Sequence, residues 1–280
     1  MTTDPEVELL WREQGREPRP GLSLGRIVRA AIEIADAEGL EGLSMRKVAD
    51  RLGFTTMSLY RHVPGRDQLV DLMMDEVYGE RPTTPEEPEE PAAGQGWRAR
   101  LEDAARQGWA LRRRHPWLAE VRGTRHLPGP NAIAYYDHML STLIDTGLTP
   151  SEVIAVVGML GRFVDAEALT LVETRREERR SGVSEQEWWG SRDALYERLD
   201  RFPTLSRLWA EGGWDHPEDS FEFGLRRQLD GVEALIRERD ERRDGCPECG
   251  TPLEPAPSGR PRVYCSRACQ QRAYRKRKSG

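Results

Sequence analysis

Residues 44–66 read SMRKVADRLGFTTMSLYRHVPGR. Ser44 can cap a helix whose Val48, Ala49 and Leu52 share one face. Lys47 stands where a capping box would want Glu, so that box is absent. Gly53 permits a tight turn, and TTMSLYRHV (55–63) follows as a short helix with Leu59 and Val63 inward. Pro64 and Gly65 break it. Two short helices joined by a glycine turn are the pattern of a helix-turn-helix, whose second member fits a DNA major groove.

The flanks agree. Upstream, SLGRIVRAAIEIADAEG places Ile27, Ala30, Ala31, Ile34 and Ala35 on one helical face and stops at Gly39. Downstream, residues 66–79 form a fourth helix with Leu69, Leu72, Met73 and Val77 apolar. The turn-flanked segment is dense in hydrogen-bonding side chains: Thr55, Thr56, Ser58, Tyr60, Arg61 and His62. Hydroxyls suit phosphates or bases, and Arg reads guanine or holds phosphate. Arg46, Lys47 and Arg66 are placed to grip the backbone on either side. The competing reading is a small helical bundle with a polar surface.

LYRHVPGRDQL (59–69) resembles the DNA-binding domain of the tetracycline repressor (TetR) family, and the likeness runs from about Leu22 to Val77. The matching positions are Leu59, Tyr60, His62 and Arg66. The resemblance implies that Thr55, Thr56, Ser58, Tyr60 and His62 face DNA, with Tyr60, His62 and Arg66 positioning phosphates. Met57 stands where the family's namesake carries proline, so its operator contacts do not carry across. RRRHPWLAEV, GPNAIAYYDHML, LIDTGLTPSEV and FEFGLRRQLDGVEALI extend a looser likeness to about residue 240. That likeness implies an all-α ligand-binding domain which dimerises through a four-helix bundle and releases a palindromic operator when a small-molecule effector binds.

The sequence divides accordingly. Residues 1–21 read as a flexible arm, 22–78 as the helix-turn-helix domain and 79–96 as an acidic, proline-rich linker. Residues 97–243 read as the ligand-binding and dimerisation domain, and 244–280 as a basic tail. In the second domain a helix is expected from about Asn131 to Asp145, with Ile133, Tyr136, Leu140, Leu143 and Ile144 in phase. TPSE (149–152) is a capping box at the head of a helix running to about Glu177, and SEQE (184–187) repeats the signal. Val153, Val156, Val157, Leu160 and Val164, opposite Phe221, Leu225, Leu229 and Ile236 on a last long helix, are nominated as core or dimer seam. Aromatic and polar residues that suit an effector pocket are Trp109, His115, Trp117, His126, Asn131, Tyr135, His138, Phe163 and Trp188. For the tryptophans, a place in the core is the simpler reading.

All four cysteines lie in the tail, as Cys246-x2-Cys249-x15-Cys265-x3-Cys269. Four thiolates close a tetrahedral Zn2+ site, and a segment this short needs the metal for its folding energy. The alternative is two unrelated thiol pairs. Residues 259–264 can supply a small strand. YCSRACQQRAYR (264–275) resembles bacterial zinc-ribbon tails of FCS and MYM type, which imply a nucleic-acid or protein partner without fixing which. Residues 259–280 hold eight basic residues and no acidic one, although the whole chain has a formal net charge of -6.

Other classes fare worse. No phosphate loop, nucleophile elbow or H-E-x-x-H is present, so no enzyme is expected. The most apolar stretch, VIAVVGMLG, is too short to span a bilayer, and the acidic start is no signal peptide, so a cytoplasmic protein is expected. Two further functions stay open: a DNA-binding regulator whose zinc/thiol tail is the sensor, and a tail-driven RNA or protein interaction module.

Overall fold

The computed structural model describes residues 4–11, 21–80, 96–121, 126–244, 246, 248–251, 253 and 263–279. Among these every regular element is helical. The head comprises α1 (Pro5–Leu10), α2 (Leu24–Gly42), α3 (Met45–Leu52), α4 (Thr56–Tyr60) and α5 (Arg66–Gly79). Local chemistry sets its boundaries. Ser23, Ser44 and Thr55 each accept a backbone N–H of the helix they start, from Arg26, Lys47 and Ser58. Gly39, at φ 74°, interrupts α2 where the sequence stops it, and Gly53, at φ 73°, makes the left-handed turn between α3 and α4. Ile27, Val48, Leu59, Val63, Leu69 and Met73 are wholly buried in one core. Each contributes about 1.5–3 kcal/mol of burial.

The expected loose arm is only partly so. Residues 5–10 form a helix capped by Asp4, and Leu10 enters the head core. Gln68 Nε2 donates to Glu6 Oε1 at 2.9 Å. The rest of the arm, residues 1–3 and 12–20, and residues 81–95 of the linker lie outside the described residues.

The second unit contains α6 (Trp97–Arg114), α7 (Trp117–Glu120), α8 (Pro130–Ser141), α9 (Pro150–Ser181), α10 (Glu185–Gly190), α11 (Asp193–Tyr196), a 3-10 turn (Leu199–Arg201), α12 (Pro203–Ala210) and α13 (Ser220–Asp244). The capping box at Thr149 and Glu152 is formed, as is that at Ser184 and Glu187. Arg239 and the Thr149 cap hold the Glu152 carboxyl down to about 2. Helices α6, α9 and α13 pack around Leu101, Val153, Val157, Leu160, Phe221, Leu225 and Leu229. The nominated core-or-seam residues are therefore buried within their own chain, with Ile236 half-buried. Helix α8 ends four residues earlier than expected, and its apolar repeat splits. Leu143 is buried just after the helix, whereas Ile133, Tyr136 and Ile144 are exposed.

Among its described residues the tail has one helix, α14 (Arg267–Ser279). The strand expected at 259–264 does not form at Val263 and Tyr264, which lie in a bend; residues 259–262 are outside the described residues. Among its described residues the tail is a knuckle with a helix and shows no strand. Among the described residues no helix is long and apolar enough to cross a membrane.

Candidate functional site

Leu59 and Val63 anchor α4 in the head core, which leaves its other side outward. Met57 is 70% exposed and Tyr60 46% exposed, Arg61 and Thr55 are exposed, and Thr56, Ser58 and His62 are half-buried. Thr55 Oγ1 lies 3.0 Å from Ser58 Oγ, so these two hydroxyls organise the start of the helix as well as face outward. Of the flanking cations, Arg46 is held loosely by Asp50 at 3.8 Å, and Lys47 is paired with Glu38. Arg66 is placed differently from expectation. Its Nη2 donates to Leu40 O at 2.8 Å and its Nε to Leu43 O at 3.3 Å, so its guanidinium ties α5 to the end of α2. Met57, read in the sequence only as a departure from the family pattern, is the most exposed apolar group of the helix.

A cavity of about 390 Å³ opens between α5, α6, α8, α9 and the turn before α8. Its walls are mainly apolar, with Tyr78 and Tyr135 stacked at 5.3 Å. Arg112, buried at 7% exposure, crosses its floor; its Nε donates to Asp165 Oδ1 at 2.7 Å and its Nη1 to Gly108 O at 3.0 Å. A Cβ at Gly108 would lie 2.7 Å from the Tyr135 hydroxyl, so a side chain there would displace that ring. Two carboxylates one turn apart on α5 join the head to this cavity. Asp71 bonds His126 and accepts from Leu127 N at 3.4 Å. Asp75 accepts from Ala132 N at 2.9 Å and from Asn131 Nδ2 at 3.2 Å. Burial pushes the Asp75 carboxyl up, and those donors pull the other way.

Of the nine pocket candidates, His126 and Tyr135 line the cavity, and Asn131 touches it through Asp75. The others do not converge there. Trp109 and Phe163 both stack on Phe221, at 4.7 and 5.7 Å, half-buried against the core of α6, α9 and α13. Trp117 is wholly buried against the head, donating from Nε1 to Asp36 at 2.8 Å. His115 lies between Asp36 and Glu80, with Nδ1 at 2.9 Å and Nε2 at 3.0 Å. His138 is on the exposed side of α8, and Trp188 is exposed beneath Arg192 at 4.2 Å. Sequence reading missed Tyr78, Arg112, Asp165, Asp71 and Asp75. Only Tyr78 carried a usable signal, as an aromatic at the end of an amphipathic head helix.

The four cysteine sulfurs all lie within 4.8 Å of one another, with Cys249–Cys265 at 3.3 Å, Cys265–Cys269 at 3.5 Å and Cys249–Cys269 at 3.6 Å. A sulfur at about 2.3 Å from zinc implies tetrahedral edges of about 3.8 Å, so the donor set fits such an ion. These separations are also far beyond a disulfide bond. The turn is built by Cys246 N donating to Thr251 O at 2.8 Å and Gly250 N donating to Cys246 O at 2.7 Å, with Gly250 at φ 72°. Hydrogen bonds from Thr251 pull the Cys249 thiol down to about 6, while hydrogen bonds to Cys249 and Cys269 push that of Cys265 up to about 12. Arg272 Nη2 donates to Cys269 Sγ at 2.9 Å, and Glu248 pairs with Lys276 at 2.8 Å, which fastens α14 to the knuckle.

Residues 27–73 match the family profile described as bacterial regulatory proteins, tetR family, and residues 90–236 match that of the tetracyclin repressor-like C-terminal domain. The chain is 43% identical over 239 residues to the HTH-type transcriptional repressor DrrR1 of Streptomyces coeruleorubidus, covering 83% of this chain and 86% of that one. It is similar to the Streptomyces coelicolor protein ActR solved with actinorhodin (30% identity, TM-score 0.61, 78% of this chain and 98% of that one). The ActR complex with (S)-DNPA gives 31% identity and a TM-score of 0.57, with coverage of 77% and 99%.

Proposed function

The chain belongs to the tetR family of bacterial regulatory proteins, and on that premise we propose that it is a homodimeric repressor which leaves a palindromic operator when a small molecule fills the cavity beneath its head. Family membership makes it a DNA-binding regulator and not an enzyme. The observation that carries the finer reading is that α5 belongs to both parts: its Leu69 and Met73 lie in the head core, and its Asp71, Asp75 and Tyr78 line the cavity. A ligand that pushes on Tyr78 or breaks either aspartate contact moves the helix on which the DNA-reading unit is packed. Allostery of this kind needs a ligand that binds the two head positions unequally. A cytoplasmic location follows from the DNA partner.

In this reading residues 22–78 form the DNA-binding domain, residues 97–243 the effector and dimer domain, and residues 79–96 the linker. Thr55, Thr56, Ser58, Tyr60, Arg61 and His62 contact the operator, with Arg46 and Lys47 at its edges. Arg66 acts by holding the head together. Since the nominated helix residues are internal, the dimer seam falls to apolar groups left outside, among them Ile154, Met159 and Phe223. Isologous pairing brings two reading helices to two half-sites.

The stacked tyrosines and mainly apolar walls suit a flat, largely apolar effector with an oxygen able to meet Arg112 or Asp75. ActR with actinorhodin provides the first compound to try. Gly161 faces the cavity with open space around a would-be Cβ. Gly161→Phe should fill the space, leave operator affinity within about threefold, and weaken effector release at least tenfold in a gel shift. If the same compound still releases the variant at the wild-type concentration, the cavity is not the effector site.

The cysteine cluster is read as a structural Zn2+ site held by Cys246, Cys249, Cys265 and Cys269. All four positions are filled by thiolates, so the ion staples the tail and leaves no open position for catalysis. Cys246→Ser/Cys265→Ser should lose one zinc per chain in a colorimetric release assay; retention of the full complement rejects the site. The exposed Cys249 keeps a second reading in play, with the tail as sensor. Operator release by a chelator, with no response to any cavity ligand, would favour it.

A further inference from the structure

The tail is attached at the end of the helical body away from the head. At the head, Arg176 of α9 reaches Glu41 of α2 at 3.8 Å and Glu120 at 3.1 Å. At the other end of the same helix, Glu152 is paired with Arg239, close to the last turn of α13. Between Glu152 and Arg176, α9 rises about 36 Å. Helix α6 agrees: Trp97 shares a depression with Ile236 and Asp240 of α13, while His115, just after its last turn, is bonded to the head. Helix α13 ends at Asp244 and the first metal ligand is Cys246, so the knuckle is attached with one intervening residue.

The thiol cluster then fixes where the basic helix begins. Cys265 Sγ is 3.3 Å from Cys249 Sγ, so the start of α14 is brought back to the end of α13. Thirteen residues of helix extend about 20 Å, which falls short of the 36 Å back to the head. On α14 itself, Cys269, Arg272 and Lys276 share the face turned to the knuckle, where Glu248 meets the two cations. Arg267, Tyr274 and Arg275 lie on the remaining surface and are exposed, Tyr274 at 60%. The helix has no acidic residue. Cations interleaved with an exposed aromatic ring match a phosphate backbone and its bases.

We infer that the metal-closed tail is a second nucleic-acid-binding surface, facing away from the operator, so that one dimer holds its operator at one pole and another duplex segment at the other. The inference rests on the reading of the chain as a zinc-stapled operator-binding dimer. It assigns the tail to bridging, and not to a firmer grip on the operator.

The test uses the full zinc-loaded chain saturated with an immobilised operator duplex, to which a fluorescent duplex lacking the operator is added at about 100 mM salt. Wild-type protein should retain the second duplex, with a log–log salt slope of about −2 for the two outward cations, Arg267 and Arg275. Arg267→Glu/Arg275→Glu should retain at least tenfold less of it, with unchanged zinc content and unchanged operator affinity. Three results overturn the inference: no retention by wild type; equal retention by the variant; or a weaker operator affinity and shallower operator salt slope in the variant, which would put the tail on the same duplex. Binding of fluorescent polyglutamate without any retention of duplex would assign the patch to an acidic protein instead. Tyr60→Ala/His62→Ala protein, assayed by anisotropy with the fluorescent duplex alone, reads the tail with the head disabled, so failure of the operator reading and failure of the tail are separate outcomes.

Discussion

Tyr60→Ala/His62→Ala protein should lose about 1,000- to 10,000-fold in operator affinity while remaining a folded dimer. Tyr60 is half outside the head and His62 is part-buried beside it, whereas Leu59 and Val63, the residues that hold α4, are wholly buried. Truncating the outward pair therefore spares the core. A hydrogen bond to a charged acceptor such as phosphate is worth about 1.5–3 kcal/mol, and the change occurs in both protomers. The lower end of that range, counted over two side chains and two half-sites, is about 4–6 kcal/mol after partial solvent replacement, or three to four decades. Gel shift at fixed salt gives the affinity, and size-exclusion chromatography with thermal unfolding shows whether dimer and fold survive. Unchanged affinity would remove α4 from the interface. Arg66→Ala should behave differently: because its guanidinium holds Leu40 O and Leu43 O, it should lower the head's melting temperature as well as its affinity.

The contrast between Arg66 and Tyr60 shows what a sequence can carry. The head was legible because its punctuation is local: Ser44 and Thr55 cap within three residues, Gly53 makes its own turn, and Leu59 and Val63 fall four apart. The capping box at Thr149 marked α9 for the same reason. Arg66 bonds carbonyls 23 and 26 residues upstream, and no local pattern encodes that. The cavity is non-local throughout. Arg112 and Asp165 meet across 53 positions, and Asp75 meets Ala132 across 57. Composition flags aromatic residues but not the side of a helix on which they fall: Trp117 lies in the core, the simpler reading of the tryptophans, while Trp109 and Phe163 pack half-buried against the core and not into the cavity. The thiol site was readable because metal-ligand spacing is itself local; the Glu248 clamp on Lys276 was not.

His115→Ala should separate the head from the effector domain energetically, and the effect should depend on pH. The imidazole is 5% exposed, with Asp36 of α2 at one nitrogen and Glu80, at the end of α5, at the other. Trp117 also donates to Asp36, and Arg114 lies 3.4 Å from Glu80. A neutral imidazole has one N–H and cannot donate to both carboxylates. Burial disfavours the charged ring, but the bonds to Asp36 and Glu80 outweigh it and raise the His115 pKa above its ordinary 6.5. A raised folded-state pKa gives stability that is fully present below the unfolded value and is lost as pH rises through the folded value. The window therefore opens near pH 6.5 and extends upward. Alanine leaves two carboxylates facing each other without the intervening cation. Breaking a buried pair costs about 3–5 kcal/mol, and the partial exposure of Asp36 and Glu80 reduces this to about 2–3 kcal/mol. In a chain of this size that corresponds to a melting temperature lower by roughly 5–10 °C at pH 6. The difference between wild type and variant should shrink steadily towards pH 9, because only the wild type loses a proton at this position. A difference that stays constant over that range would mean that His115 acts by packing alone, and no difference at all would remove it from the junction.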